Sequence, residues 1–162
     1  MIIAAGLAVV AKNTGRVLLL QRSLQDDKDP NAGLFEFPGG KLNPGEKPLM
    51  GAVREWTEET GNKLPKGKIT NKWISSDGKY KGYVYAIPSE DSIIINLDQE
   101  DKKVLNPDDP DGDFVETLAF MDPVFLPDNP ILRPEMHDMD WELLKMNTTI
   151  LKQIDNFLIK YG

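Results

Sequence analysis

The chain has 162 residues, 40% of them apolar and 28% charged, with a formal net charge of −7. That suits one domain with its own core, and the acidic balance argues against broad electrostatic attraction to nucleic acid or to an anionic membrane. Cysteine is absent, which excludes disulfides, thiolate catalysis and thiolate metal sites and is compatible with a reducing cytoplasm.

The first stretch, MIIAAGLAVVA, carries no early Lys or Arg and is too short to span a bilayer. Together with RVLLLQR, beyond a turn at Asn13-Thr14-Gly15, it predicts paired strands over 2–11 and 16–22. A polar loop, SLQDDKDPNAG, leads to a short extended piece, LFEFPGG. Pro44 and Gly45 fill the centre of a type II turn in NPGE. A helix over about 47–60 follows, with Pro48 in its first turn and Gly61 just past its end. KWISSDGKYKGYVYAI predicts a hairpin turning at Asp77-Gly78, and SIIINL, 92–97, a further strand. Residues 98–113 hold seven acidic residues and two lysines and read as a solvated loop or insertion. FVETLAFM, 114–121, predicts the last strand. Pro123, Pro127, Pro130 and Pro134 make the next passage irregular. Trp141, Leu144, Ile150, Leu151, Ile154 and Leu158 roughly follow a helical period and predict a closing helix over about 138–160. With no internal repeat or low-complexity linker, residues 1–162 read as a single domain.

The 47–60 helix carries the chemistry. On a wheel of about 100° per residue, Glu55, Glu58 and Glu59 share an arc of about 100°, while Leu49, Ala52, Val53, Trp56 and Thr60 form an adjoining anchor face. Carboxylates at that spacing repel one another, and a merely solvated face would intersperse them with Lys or Arg. Hard oxygen donors beside a glycine-containing turn suit Mg²⁺ or Mn²⁺, and through such an ion phosphate chemistry.

The stretch GKLNPGEKPLMGAVREWTEETG, Gly40 to Gly61, resembles the Nudix box at Gly40, Glu46, Arg54, Glu55, Glu58, Glu59 and Gly61, with Trp56 in its apolar slot. Its last slot, usually aliphatic, is Asn62, with Leu64 close by. FEFPGGK resembles the segment that leads into the box in MutT-like members. The resemblance implies a Nudix fold, an α/β/α sandwich with a mixed, curved β-sheet. It implies that Glu58 and Glu59 ligate the metal and that Glu55 ligates it or acts as base. Arg54 orients Glu55, Glu46 pairs with Arg54, and the Gly39 carbonyl is a further ligand. A downstream acid often completes the site; Glu116 is the candidate, with Asp113 and Asp111 as rivals. Arg22, Lys41 and Glu36 flank the same cleft as candidate substrate-binding residues, and Gly40, Glu46 and Gly61 serve the motif structurally.

The implied activity is Mg²⁺-dependent (or Mn²⁺-dependent) hydrolysis of the pyrophosphate linkage in a nucleoside diphosphate joined to another group. The small-molecule substrate expected is a (deoxy)nucleoside triphosphate or a related nucleotide. Dinucleoside polyphosphates and ADP-ribose are the alternatives within that chemistry, and a non-catalytic nucleotide-sensing or protein-binding module is the alternative outside it. No nucleic-acid polymer or membrane partner is expected, and the sequence does not decide between a monomer and a homodimer. Asn129 is a weaker candidate for reading a purine edge, and His137 reads as a surface or packing residue.

Overall fold

The computed structural model describes residues 1–24, 27–95 and 115–144. Its elements are β1 (Ala4–Ala11), β2 (Val17–Arg22), β3 (Phe35–Glu36), β4 (Gly39–Lys41), α1 (Pro48–Thr60), β5 (Lys68–Ile74), β6 (Tyr80–Ile87) and β7 (Val115–Met121). All seven strands join one mixed sheet, in which β1 runs parallel to β6 from Ala4↔Tyr80 to Ala11↔Ile87. The other pairs are antiparallel: β2 with β7, β2 with β3, and β5 with β6.

One edge of β1 is divided between two partners. Its far end meets β2 at Val10↔Val17, while its near end meets β4 at Ala4↔Lys41, Ala5↔Gly40 and Gly6↔Gly39. Between the two, the Leu7 amide donates to the Pro38 carbonyl. The sheet therefore forks along β1, and β3 and β4 lie in the fork.

Strand β1 is nearly all apolar because both of its faces are covered. Ala5, Leu7, Val9 and Ala11 pack with Trp56 and Ala52 of α1, and Ala8 and Val10 pack with Leu126, Leu132, Met136, Trp141 and Leu144 on the other face. Phe37 lies on that second face, edge-on to Trp73 at 5.7 Å and tilted against Trp141 at 5.8 Å. Phe37 and Tyr83 are thus core residues.

Three expectations need correction. The strand expected over 92–97 is absent in its described part: Glu90–Ser92 is a 3-10 turn, Ile93 to Ile95 belong to no strand, and 96–97 lie outside the described residues. The reason is Asn62, whose side-chain amide takes the place of a strand partner. It donates to the Ile94 carbonyl at 2.8 Å and accepts from the Ile94 amide at 2.9 Å. The proline-rich passage is more regular than expected, forming 3-10 turns at Pro123–Phe125 and Pro134–Asp138, each with Pro in its first turn. The closing helix does not begin at 138, because Asp138 ends the second of those turns; helix appears only at 142–144, where the Asp140 carboxylate accepts from the Glu142 amide. The rest of that expected helix, and the acidic stretch 98–113, lie outside the described residues. No helix among the described residues is long and apolar enough to cross a membrane.

Candidate active site

Helix α1 begins at Pro48, which pre-sets its backbone without a side-chain cap at Lys47, and ends at Gly61, left-handed at φ 68°, where the amide closes on Thr57. The anchor face differs from the wheel in two places. Ala52, Trp56 and Thr60 are buried as expected, but Leu49 is 37% exposed and Gly51 is buried in its stead. Leu42 and Glu46 press on Gly51 from the segment before the helix, and an added Cβ there would lie 2.3 Å from a Leu42 methyl.

Arg54 is the hub of the box. Its Nε and Nη2 donate to the two oxygens of Glu46, both at 2.9 Å, and Nη2 also reaches the Lys41 carbonyl. Its Nη1 donates to Glu55 at 3.1 Å and Glu58 at 3.3 Å. Glu46 is itself fixed, because its carboxylate caps the Asn43 amide. The hydrogen bonds from Arg54 outweigh burial and hold the Glu46 carboxyl below the usual carboxylate range. Glu55 goes the other way: burial raises its carboxyl although Arg54 opposes the rise.

Glu59 faces inward from the same helix. The residue keeps some surface, yet its carboxyl end is desolvated, and its Oε1 accepts from the Gly39 amide at 2.7 Å. Burial, then the nearby charges of Glu36 and Glu55, lift it well above the usual range. The glycines of β4 permit this closeness. A Cβ on Gly40 would lie 2.7 Å from the Glu55 carboxyl carbon, and one on Gly39 would lie 2.5 Å from the Ala5 carbonyl oxygen.

The three carboxylates do not converge as the wheel implied. Among the described residues no three Asp, Glu or His side chains are gathered around one point as a metal ligand set. Arg54 accounts for this by drawing Glu55 and Glu58 toward itself and leaving Glu59 on Gly39. The donor chemistry nevertheless fits a hard divalent cation. Two carboxylates are held uncomfortably desolvated beside each other, and a dication would offset that charge.

The flanking residues are placed as follows. Lys41 has an exposed side chain. Arg22 lies at the end of β2, bound to Asp29 at 2.6 Å and Glu36 at 3.0 Å. Glu36 is buried, and its second oxygen accepts from Arg133 at 2.8 Å. Glu116 lies at a bulge opposite Arg22, where its carboxylate accepts from the Leu24 amide at 3.3 Å, and no hydrogen bond or ion pair among the described residues joins it to the box. Its rivals Asp111 and Asp113 lie outside the described residues. Asn129 is spent on its own loop, donating to Phe125 and accepting from Ile131, so its amide is not offered to a base edge. His137 donates from Nε2 to the Asn129 carbonyl at 3.0 Å, a packing role. Sequence reasoning missed Arg133; the available signal was that it is the only arginine after Arg54.

A family model described as the NUDIX domain matches residues 2–139. A CTP pyrophosphohydrolase of Escherichia coli (strain K12) is 44% identical over 54 residues, covering 33% of this chain and 38% of that protein. Diphosphoinositol polyphosphate phosphohydrolase 2 of Mus musculus is 32% identical over 108 residues, covering 62% of this chain and 57% of that protein. The chain thus spans less than two thirds of either relative. Among solved structures, a MutT protein from Methanosarcina mazei Go1 superposes with a TM-score of 0.54 at 20% identity, covering 93% of this chain and 95% of that one. The E. coli ORF135 protein gives 0.52 at 23% identity, covering 94% of each chain. These structural likenesses are of fold, and it is the family match along most of the chain that decides: the chain belongs to the Nudix family.

Proposed function

We propose that this protein is a Mg²⁺-dependent pyrophosphohydrolase acting on a nucleoside diphosphate joined to another group, with (deoxy)nucleoside triphosphates as the leading substrate class. The observation that carries the reading is the Arg54 hub, which organises Glu46, Glu55 and Glu58 at the mouth of the β4–α1 turn beside the desolvated Glu59. A retired site would be free to relieve this crowding by substitution, which weighs against a purely binding module. Similarity to a CTP pyrophosphohydrolase across 54 residues supports the triphosphate choice.

In this reading Glu55, Glu58 and Glu59 hold the metal, with the Gly39 carbonyl as a further candidate ligand. When bound, the ion neutralises phosphate oxygens and lowers the pKa of a bound water. Arg54 divides its donors between anchoring the turn through Glu46 and aiming Glu55 and Glu58. Glu55, raised by burial, is suited to accept a proton from water at one of its oxygens. Glu116, one of whose oxygens accepts from the Leu24 amide, is the alternative base.

The test is a phosphate- and pyrophosphate-release panel over nucleoside triphosphates, dinucleoside polyphosphates, ADP-ribose and nucleotide sugars, with and without Mg²⁺. EDTA should abolish turnover and Mg²⁺ restore it. Glu58→Gln should lower kcat/KM by on the order of 10²–10³-fold or more while leaving the melting temperature near wild type. Undiminished turnover in excess EDTA would refute the metal mechanism, and a flat panel would favour the binding module.

A further inference from the structure

We propose that Arg133 is a specificity-determining residue of this same site, a contact for the anionic phosphate chain of the substrate, and that Glu36 positions it. The inference rests on the nucleotide-hydrolase reading and extends the site to a segment far from the box in sequence.

The chain after β7 is stitched onto β3 by backbone bonds. The Phe35 amide donates to the Ile131 carbonyl at 2.8 Å, and the Arg133 amide donates to the Phe35 carbonyl at 2.9 Å. This places Arg133 beside Glu36, the residue after Phe35. Buried Glu36 gives one oxygen to each of two arginines, Arg22 at 3.0 Å and Arg133 at 2.8 Å. One carboxylate between two guanidiniums fixes the planes of both, which is how a planar fork is prepared for a phosphate.

The clamp adjoins the box carboxylates. Glu36 acts electrostatically on Glu59, and the Tyr80 hydroxyl, seated over Gly6, feels Glu36, Glu59 and Arg133 together. The guanidinium pair thus lies within electrostatic reach of the box carboxylates, where the proposal seats the phosphate chain.

The arginines differ in what they have left to offer. Arg54 is occupied at Nε, Nη1 and Nη2 by Glu46, Glu55, Glu58 and Lys41. Arg133 spends Nε on Glu135 and Nη1 on Glu36, and its Nη2 has no hydrogen-bond partner among the described residues. Its side chain is 36% exposed, and its outer partner Glu135 is 66% exposed, so that pair yields to a competing phosphate at little cost. Glu36, with both oxygens occupied, acts on substrate through the arginines rather than by touching it.

The experiment measures kcat and KM separately for a nucleoside triphosphate and the matching diphosphate in Arg133→Gln, Arg133→Lys and Glu36→Gln. Arg133→Gln should raise KM for the triphosphate roughly tenfold or more, the worth of a charge-assisted hydrogen bond, with kcat changed by less than about threefold. The diphosphate should be affected less, and Arg133→Lys should recover part of the loss. Glu36→Gln should raise KM in the same direction by loosening both guanidiniums. Calorimetric titration with inorganic tripolyphosphate and Mg²⁺ reads the clamp without turnover, and its affinity should fall in parallel in Arg133→Gln. If the wild type hydrolyses no nucleotide, the functional reading fails, and the tripolyphosphate titration still decides the clamp. Unchanged KM and unchanged tripolyphosphate affinity in Arg133→Gln would overturn the proposal. So would a fall in kcat and melting temperature at constant KM, since that marks a brace for β3 alone.

Discussion

A methyl group added at Gly40 should damage the site far more than the fold. The new Cβ would stand 2.7 Å from the Glu55 carboxyl carbon and 2.8 and 3.0 Å from its oxygens. Carbon pairs prefer about 3.5–4.0 Å, so the carboxylate must retreat by about 1 Å. The obstacle is the far end of a flexible side chain, so the retreat costs only its bond to Arg54, about 1 kcal/mol. Misplacing a catalytic group by about 1 Å costs on the order of 10²-fold in rate. Gly39→Ala is the control one residue away. Its Cβ would meet the Ala5 carbonyl at 2.5 Å and the Gly6 Cα at 2.7 Å, which are backbone atoms of the central strand. They cannot swing aside, so the fold itself bears the strain, about 1–3 kcal/mol. The assay is the substrate-release rate alongside a thermal melt for both variants. The expected pattern is a Gly40→Ala protein that melts near wild type and works about a hundredfold more slowly, and a Gly39→Ala protein that melts clearly lower. The reasoning is refuted if Gly40→Ala retains wild-type turnover, or if it melts below Gly39→Ala.

Two further outcomes test features outside the box carboxylates. Asn62→Leu restores the aliphatic residue usual at that slot but removes the amide that grips Ile94 and the Thr60 carbonyl. It should therefore destabilise by about 1 kcal/mol, roughly 2–4 °C in melting temperature, and hydrogen exchange at the Ile94 amide should accelerate; no change in that exchange rate would contradict the tether. Glu90 lies on Arg16, and although burial opposes it, the hydrogen bonds from Arg16 and Thr14 hold its carboxyl below the usual value. A depressed folded-state pKa stabilises above the unfolded value and loses that contribution as pH falls through the folded one. Glu90→Gln should thus melt slightly below wild type at pH 7, by about 0.5 kcal/mol or less in free energy, with the gap closing below about pH 4. A gap that widens in acid would reverse the assignment.

The readable parts of the fold were those whose cause is local. Gly15, Gly45, Gly61 and Gly78 all adopt the positive φ their turns demand, so strand pair, box turn, helix end and hairpin could be read from punctuation alone. The misreadings arose where a distant residue intervened. The isoleucine run after Ser92 has strand chemistry, but the amide of Asn62, 32 residues away, occupies its backbone. Leu49 outranks Gly51 on any hydrophobicity scale, yet Leu42 fills the space beside Gly51 and only a glycine fits there. In the site, the spacing of the box marked Glu55, Glu58 and Glu59 but not where Arg54 would turn them. Arg133 was missed because its neighbour Glu36 is 97 residues away, and only the backbone bonds to Phe35 bring them together.

The parallel pairing of β1 with β6 has a consequence for the order of assembly. Strand β1 carries both β4 and α1, but its long ladder, Ala4↔Tyr80 through Ala11↔Ile87, is made with residues translated much later. Parallel pairs need a crossover, and contacts this remote in sequence are slow to form because loop closure comes first. Until β6 docks, one edge of β1 is open, and Tyr80 is not yet seated over Gly6. The box is finished as a sequence once Gly61 has been added to the growing chain. As a charged interior it is complete only after β6, the second strand beyond it, has closed the sheet beneath.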